Sequence, residues 1–414
     1  MRFCGLVRYW ATDGPILDYL LFNVNCEITA QTGNLACLRY RLFARELFLL
    51  GTAMSTKTLP PYIITNSALD IGFFSVKGAS KRATTGGICN FSFPSQIARV
   101  TGSASVSMGM ESLSGVYIKD ENNCYFVGTD AALQSSARQT RTVTENFVDT
   151  NDYQILFLAG LHYILRDHHH KIGEADTVEI KRLIMGLPLN TVKEYADKVR
   201  EMFEGTHMVP SPVGSGEIKV VIRSIAVIPQ PQGAMVIAGS KRKKDELKEF
   251  FSQNMLVLDI GGGTFDWFLV TSNKVVESRS GAFQKGIITC VNAVCDGIKP
   301  GIKEDPLVLK RVDEALRNES ERVIIGGKKY SLAEFMPQVD SILAECLNAM
   351  FNKMLSLDSV DLIIFTGGGA KRLHHVATQM WPDRAEVMEL DSDPVFSNVS
   401  GFYYLGEMKD ATAK

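Results

Sequence analysis

The sequence predicts an α/β fold with a mixed sheet, and three short stretches carry that prediction. The first is Met255-Leu256-Val257-Leu258-Asp259-Ile260-Gly261-Gly262-Gly263-Thr264-Phe265-Asp266, followed by Trp267-Phe268-Leu269-Val270. Its apolar run reads as a buried strand that ends at an acid, turns through three glycines and returns as a second strand. Glycines there permit a tight turn and bring bare backbone N–H groups close to an anionic ligand. The second stretch, Ala68-Leu69-Asp70-Ile71-Gly72-Phe73-Phe74-Ser75-Val76-Lys77, repeats the idea, with Lys77 placed to fold back towards the turn. The third, Asp361-Leu362-Ile363-Ile364-Phe365-Thr366-Gly367-Gly368-Gly369-Ala370, is a buried strand whose glycine triplet opens a helix. Either hairpin alone would pass for an ordinary glycine turn. Both together, with the later glycine triplet, point to a phosphate-bearing ligand.

The chain has 414 residues, enough for two domains or one bilobed unit. Its 45% hydrophobic and 22% charged residues belong to a globular protein. A formal net charge of -2 gives no basic stripe for nucleic acid, so any link to DNA has to run through a partner. No apolar run reaches the length of a membrane span. Eight cysteines, without any Cys-x-x-Cys spacing, read as reduced core thiols of a cytoplasmic protein.

Residues 1 to 60 form an N-terminal extension without a clean period or a signal-peptide pattern. Met54-Ser55-Thr56-Lys57 ahead of Pro60-Pro61 resembles a natural start. Residues 1 to 53 are thus either non-native and unpacked or an extension that docks on a partner. From 62 to about 150 the text is strand-rich, with runs at Asn90–Ser95, Gly115–Ile118 and Cys124–Gly128. Residues 151 to 166 predict an amphipathic helix with Asn or Asp as its cap. His168-His169-His170 reads as a solvated helix end favoured by the dipole, with a metal site as the alternative. Then follow a strand at Thr177–Met185, a Gly186-Leu187-Pro188 turn, a helix at Thr191–Phe203 and a strand at Lys219–Ile228. Lys241-Arg242-Lys243-Lys244, followed by Asp245, Glu246 and Glu249, reads as a solvated helix face rather than a nucleic-acid patch. A glycine-bounded loop, Gly281 to Gly286, opens a helix at Ile287–Ile298, and further helices are expected at 306–318 and 331–355. The last carries a core stripe of Phe335, Val339, Ile342, Leu343, Cys346, Leu347, Met350 and Phe351. This alternation of strands and helices supports the α/β class.

The order and spacing of the motifs resemble the superfamily of actin, heat-shock chaperone and sugar-kinase ATPases, over roughly residues 62 to 408. Asp70 to Lys77 resembles its first phosphate motif, Asp259 to Asp266 its second, and Phe365 to Ala370 its adenosine motif. Val227 to Ala234, including Gln230, and Phe396 to Phe402 resemble its two connecting segments. Met185-Gly186-Leu187-Pro188-Leu189 and Asn398-Val399-Ser400-Gly401-Phe402-Tyr403 resemble the ParM/StbA group of plasmid-segregating bacterial actins.

That resemblance implies an actin-like (ribonuclease H-like) ATPase fold of two lobes with a nucleotide cleft between them. Residues 61–235, completed by 385–414, would form lobe I, and 236–384 lobe II. The implied cofactors are ATP and Mg²⁺, the metal held through water by Asp70 and Asp259. Lys77 would neutralise phosphate charge, and backbone at Gly72, Phe73, Phe74, Gly261, Gly262, Gly263 and Thr264 would bind phosphate oxygens. Gln230 would orient the attacking water, with Gln232 as the fallback; some relatives carry Glu there, which puts the rate in question and not the site. Gly286, Gly367, Gly368 and Gly369 would let backbone pass close to the nucleotide, with Lys371 or Arg372 beside the purine. Lys285, Lys310 and Arg311 read more readily as surface cations than as ribose contacts. The implied partners are further copies of the chain, stacked head to tail into a filament, and a small DNA-binding adaptor. A non-segregating scaffold and a small-molecule kinase of the same fold are the alternatives.

Overall fold

A bend shared by three neighbouring strands organises the first part of the fold. The strands β1 (Tyr62–Ile64), β2 (Ser67–Ile71), β3 (Ser75–Lys81) and β4 (Ile88–Pro94) open the unit Leu59–Lys414. A small antiparallel sheet of β5 (Ile97–Val100), β6 (Val116–Asp120) and β7 (Asn123–Val127) follows, then helix α1 (Asn151–Asp167). Thr150 caps α1 by accepting the Tyr153 N–H, as the helix start requires. Next come β8 (Thr177–Ile180), β9 (Leu183–Leu187), α2 (Val192–Phe203), β10 (Gly205–Pro210), β11 (Glu217–Ile222) and β12 (Ile225–Pro229). The computed structural model describes residues 59–82, 85–100, 113–120, 123–134, 146–173 and 175–412, with side chains to 408. The expectations for residues 1 to 58 lie outside them.

The single strands expected at 177–185 and 219–228 are each two strands. The break falls at Lys181-Arg182 in one and at Arg223-Ser224 in the other, level with Thr65-Asn66 between β1 and β2. On one side the order is β1-β8-β11-β10, on the other β12-β9-β2-β3-β4. Backbone bonds cross the bend, from Ser67 N to Arg182 O and from Leu183 N to Ser224 O, which ties the two halves of the ladder together there. An unbroken apolar text hides such a bend, because each piece keeps its alternation and only the neighbours reveal the shift.

The second part holds α3 (Gln230–Ser240), β13 (Met255–Ile260), β14 (Phe265–Thr271), β15 (Lys274–Val275), β16 (Gly281–Phe283), α4 (Ile287–Ile298) and α5 (Pro306–Arg317). It continues through a hairpin of β17 (Arg322–Ile325) and β18 (Lys328–Ser331), α6 (Met336–Met354), β19 (Leu362–Thr366), α7 (Ala370–Met380), β20 (Met388–Leu390) and α8 (Ser397–Thr412). Its sheet runs β15-β14-β13-β19-β20, and the α6 stripe packs with α4, α5 and α7 beside it. The helix expected from 331 begins at Met336, because 328–331 pair with β17 and Leu332–Glu334 make a single 3-10 turn. The basic run 241–244 is a turn after α3: Lys241 bonds Asp391 at 2.8 Å, and Arg242 pairs with Glu389. His168 is buried, 4% exposed, and shares a 3.0 Å hydrogen bond with Tyr62 Oη, so the expected solvated helix end is overturned at that residue. The five described cysteines are free, and Cys290, Cys295 and Cys346 are buried.

Helices α3 and α8 join the two sheets. Ala234, Met235 and Ala238 of α3 pack with Val257, Phe268 and Ile364, whereas Val399, Phe402 and Tyr403 of α8 pack with Ala68, Ala79 and Ile184. The helices touch backbone to backbone: a Cβ on Gly401 would lie 1.9 Å from the Gly233 carbonyl oxygen. Only glycine permits that approach.

Candidate active site

Each hairpin places its acid by register. Asp70 lies one residue before the end of β2, opposite Lys77 of β3, and Asp259 one residue before the end of β13, opposite Asp266 of β14. The turns then close on themselves, with Gly72 N–H donating to Ser75 O at 3.2 Å and Gly261 N–H to Thr264 O at 2.9 Å. Those two amides are therefore already used inside the turns.

One cavity of about 70 Å³ receives both hairpins. It brings together Asp70, Gly72, Phe73, Phe74, Lys77, Gln230, Asp259, Gly261, Gly262, Gly263 and Thr264. Gly286, Gly367, Gly368, Gly369, Lys371 and Gln232 are not in its lining. Two of these glycines still adjoin it. A Cβ on Gly286 would meet the Gly262 and Gly261 carbonyl oxygens at 2.6 and 2.7 Å, and one on Gly367 would meet Asp259 Oδ1 at 2.5 Å. The cations expected near the nucleoside are paired with acids: Lys371 with Glu319 at 4.0 Å, Lys285 with Glu345, and Arg372 with Asp340 at 2.6 and 2.5 Å. Lys310 reaches Thr129 O at 3.2 Å and Asp130 at 3.8 Å, and Arg311 is exposed.

The carboxylates are unusually dry: Asp70, Asp259 and Asp266 are 2%, 6% and 4% exposed. Burial raises the pKa of all three, since a charged carboxylate loses its hydration there. For Asp70 that rise is opposed by Lys77, 3.8 Å away, and by the Gln230 Nε2–H donated to Oδ1 at 2.6 Å. For Asp259 it is opposed by Lys77 and by Asn398, whose Nδ2–H donates to Oδ2 at 2.6 Å. Asp266 is pushed up to about 7 by burial and then by Asp259, while the Thr264 hydroxyl donates to its Oδ2 at 2.8 Å. Its Oδ1 is buried with no hydrogen-bond partner.

Asp266, Asn398 and Tyr153 are the members of this surround that sequence reasoning missed as site residues. Asp266 stood in the motif but reads as a strand residue. Asn398 and Tyr153 come from distant helices, and Tyr153 lines the cavity with a buried hydroxyl lacking a partner. Among the described residues no group of three His, Cys, Asp or Glu side chains converges tightly enough to chelate a metal directly. Buried acids with an orphaned oxygen, set slightly apart, do fit a hard divalent cation that keeps its waters, and Mg²⁺ is such an ion.

Two family models match this framework: "Actin like proteins N terminal domain" over residues 68–233, and "Archaeal actin homologue MreB-like, C-terminal" over residues 257–378. The chain belongs to the actin-like superfamily. The first match spans the Asp70 hairpin through Gln230, and the second runs from the Asp259 hairpin through the glycine triplet. Solved structures of the superfamily share the fold. The actin-like protein Alp7A superposes with a TM-score of 0.64 at 17% identity, over 85% of this chain and 98% of its own. A protomer of a 15-stranded ParM filament from Clostridium botulinum gives 0.64 at 18%, over 84% and 100%. The archaeal actin homologue Ta0583, in complex with ADP, gives 0.58 at 18%, over 83% and 100%. No curated protein matches the sequence of this actin-like chain.

Proposed function

We propose that this actin-like chain is an ATPase that binds ATP with Mg²⁺, hydrolyses it and polymerises head to tail into filaments. The observation that carries the reading is the meeting of Asp70, Lys77, Gln230 and Asp259 around one cavity, from three separate places in the chain. Residues 61–235 with 385–414 would act as one lobe and 236–384 as the other, with phosphates between the hairpins. Bound Mg²⁺ would supply charge neutralisation at the phosphates, held through water by Asp70 and Asp259 with Asp266 beside them. Lys77 binds phosphate oxygens, as do the amides of the hairpin tips beyond Gly72 and Gly261. Gly286 and the Gly367–Gly369 turn leave room for backbone near ribose, and Lys371 stands beside the base.

Gln230 aligns the attacking water. A carboxamide is no general base, so catalysis rests on position and on charge stabilisation. Its Nε2–H is given to Asp70, which leaves the carbonyl Oε1 to accept from a water. The filament reading draws on the ParM filament among the fold's relatives, and the nucleotide on the ADP complex of another. Work in the cytoplasm on DNA segregation, through a small DNA-bound adaptor, suits the near-neutral net charge of -2. Among the described residues no helix is long and apolar enough to cross a membrane.

Sedimentation and light scattering with ATP, GTP, ADP and no nucleotide, read beside phosphate release, test this. ATP-dependent pelleting with slow phosphate release is expected. A chain that releases ADP only when a sugar or other acceptor is added, passing the phosphoryl group to that acceptor, and that never pellets, would overturn the filament reading.

A further inference from the structure

The two acids are held in matching ways. Gln230, in the first turn of α3, donates its carboxamide N–H to Asp70, and Asn398, in the first turn of α8, donates its own to Asp259. Each carboxamide stands three residues before the glycine at which the helices touch, Gly233 and Gly401. The crossing itself abuts Asn398, because a Cβ on Gly233 would lie 2.2 Å from the Asn398 carbonyl oxygen. Asn398 is 3% exposed, and its Oδ1 is buried without a hydrogen-bond partner. Burying a primary amide at the cost of one orphaned oxygen is unfavourable unless the donated bond matters.

We propose that Asn398 is the positioning residue of Asp259, the counterpart of Gln230 on Asp70. Its single amide bond fixes Oδ2, so that the carboxylate presents Oδ1 beside Gly367 in one orientation. The two bonds start from helices locked together at one glycine contact, so a shift of that crossing re-aims both acids at once. This inference deepens the proposed function and rests on it, since a positioned carboxylate matters only if a cation is held there. Partners that orient a carboxylate of a metal site usually set affinity by about 10–100-fold.

The test measures metal binding apart from turnover. Mn²⁺, as the paramagnetic substitute for Mg²⁺, is titrated into full-length protein saturated with ADP and followed by electron paramagnetic resonance. Asn398→Ala and the near-isosteric Asn398→Leu are compared with the parent protein. Leu fills the space and removes the orphaned oxygen, although it leaves Asp259 Oδ2 without its donor, so a thermal melt checks that both variants stay folded. Both variants should bind Mn²⁺ about 10–100-fold more weakly. Their affinity for fluorescent ADP in EDTA should equal that of the parent. Parent-like Mn²⁺ affinity in both, or a loss in the Ala variant that Leu restores, overturns the assignment, the second outcome marking a packing role. A parent protein that binds neither ADP nor Mn²⁺ overturns the proposed function, and the inference with it.

Discussion

Phe74, at the tip of the first hairpin, lies directly on Gly262 of the second: a Cβ on Gly262 would stand 2.1 Å from the Phe74 Cβ. The ring is also flanked by the Arg317 guanidinium, 5.3 Å from its centroid. The cavity beneath, about 70 Å³, has room for a few waters and not for a triphosphate. The tips therefore have to part before a nucleotide enters. Phe74→Ala should speed the association of fluorescent ATP several-fold in stopped flow, at a cost of about 1–3 kcal/mol in chemical denaturation for a half-buried ring. An unchanged association rate would place the entry route elsewhere.

Asp259→Ala should lower phosphate release on the order of 10²–10³-fold, as expected when a group that organises transition-state charge is lost. The hairpin does not depend on this side chain for its register, so circular dichroism should be that of the parent protein. Parent-like turnover would refute the metal assignment.

For Gln230→Ala the expected loss in turnover is on the order of 10²-fold, the usual cost of a misplaced reactant. Filaments should persist longer after ATP is exhausted, which light scattering follows. Asp70 loses one donor but keeps Lys77, so nucleotide affinity should hold. A parent-like rate would move the water-positioning role to another residue.

The buried His168 gives a pH test away from the site. Burial, and then Lys171, lowers its pKa from 6.5 to about 4. Between those values the unfolded chain binds a proton that the folded chain refuses, so stability falls as pH drops. The slope is at most about 1.4 kcal/mol per pH unit for one group. His168→Phe should flatten the fall in melting temperature between pH 6.5 and 4.5. An unaltered slope would assign the acid sensitivity to other groups.

What could be read beforehand was local. The two hairpins, the glycine triplet and the segment at Gln230 are short motifs whose chemistry sits within a few residues. Most of the helices followed from the periodicity of their buried faces. What escaped depends on contacts between distant positions. The bend at Lys181-Arg182 and Arg223-Ser224 is set by neighbouring strands, not by either sequence alone. His168 is buried because Tyr62 reaches it, and Asn398 matters because Asp259 lies in front of it. Phe74 was expected to contribute backbone, yet its side chain closes the hairpin tips, a contact no local pattern announces.

The cross-strand register of β13 and β14 has a further consequence. Asp259 and Asp266 stand directly opposite each other, both dry, where like charges weaken a ladder. Without a cation the chain therefore sets two acids against each other within the very hairpin that identifies it, and a divalent cation held nearby would offset that repulsion. Resistance to heat then becomes a gauge of occupancy: a population of loaded and vacant protomers should melt in two waves, the vacant ones first.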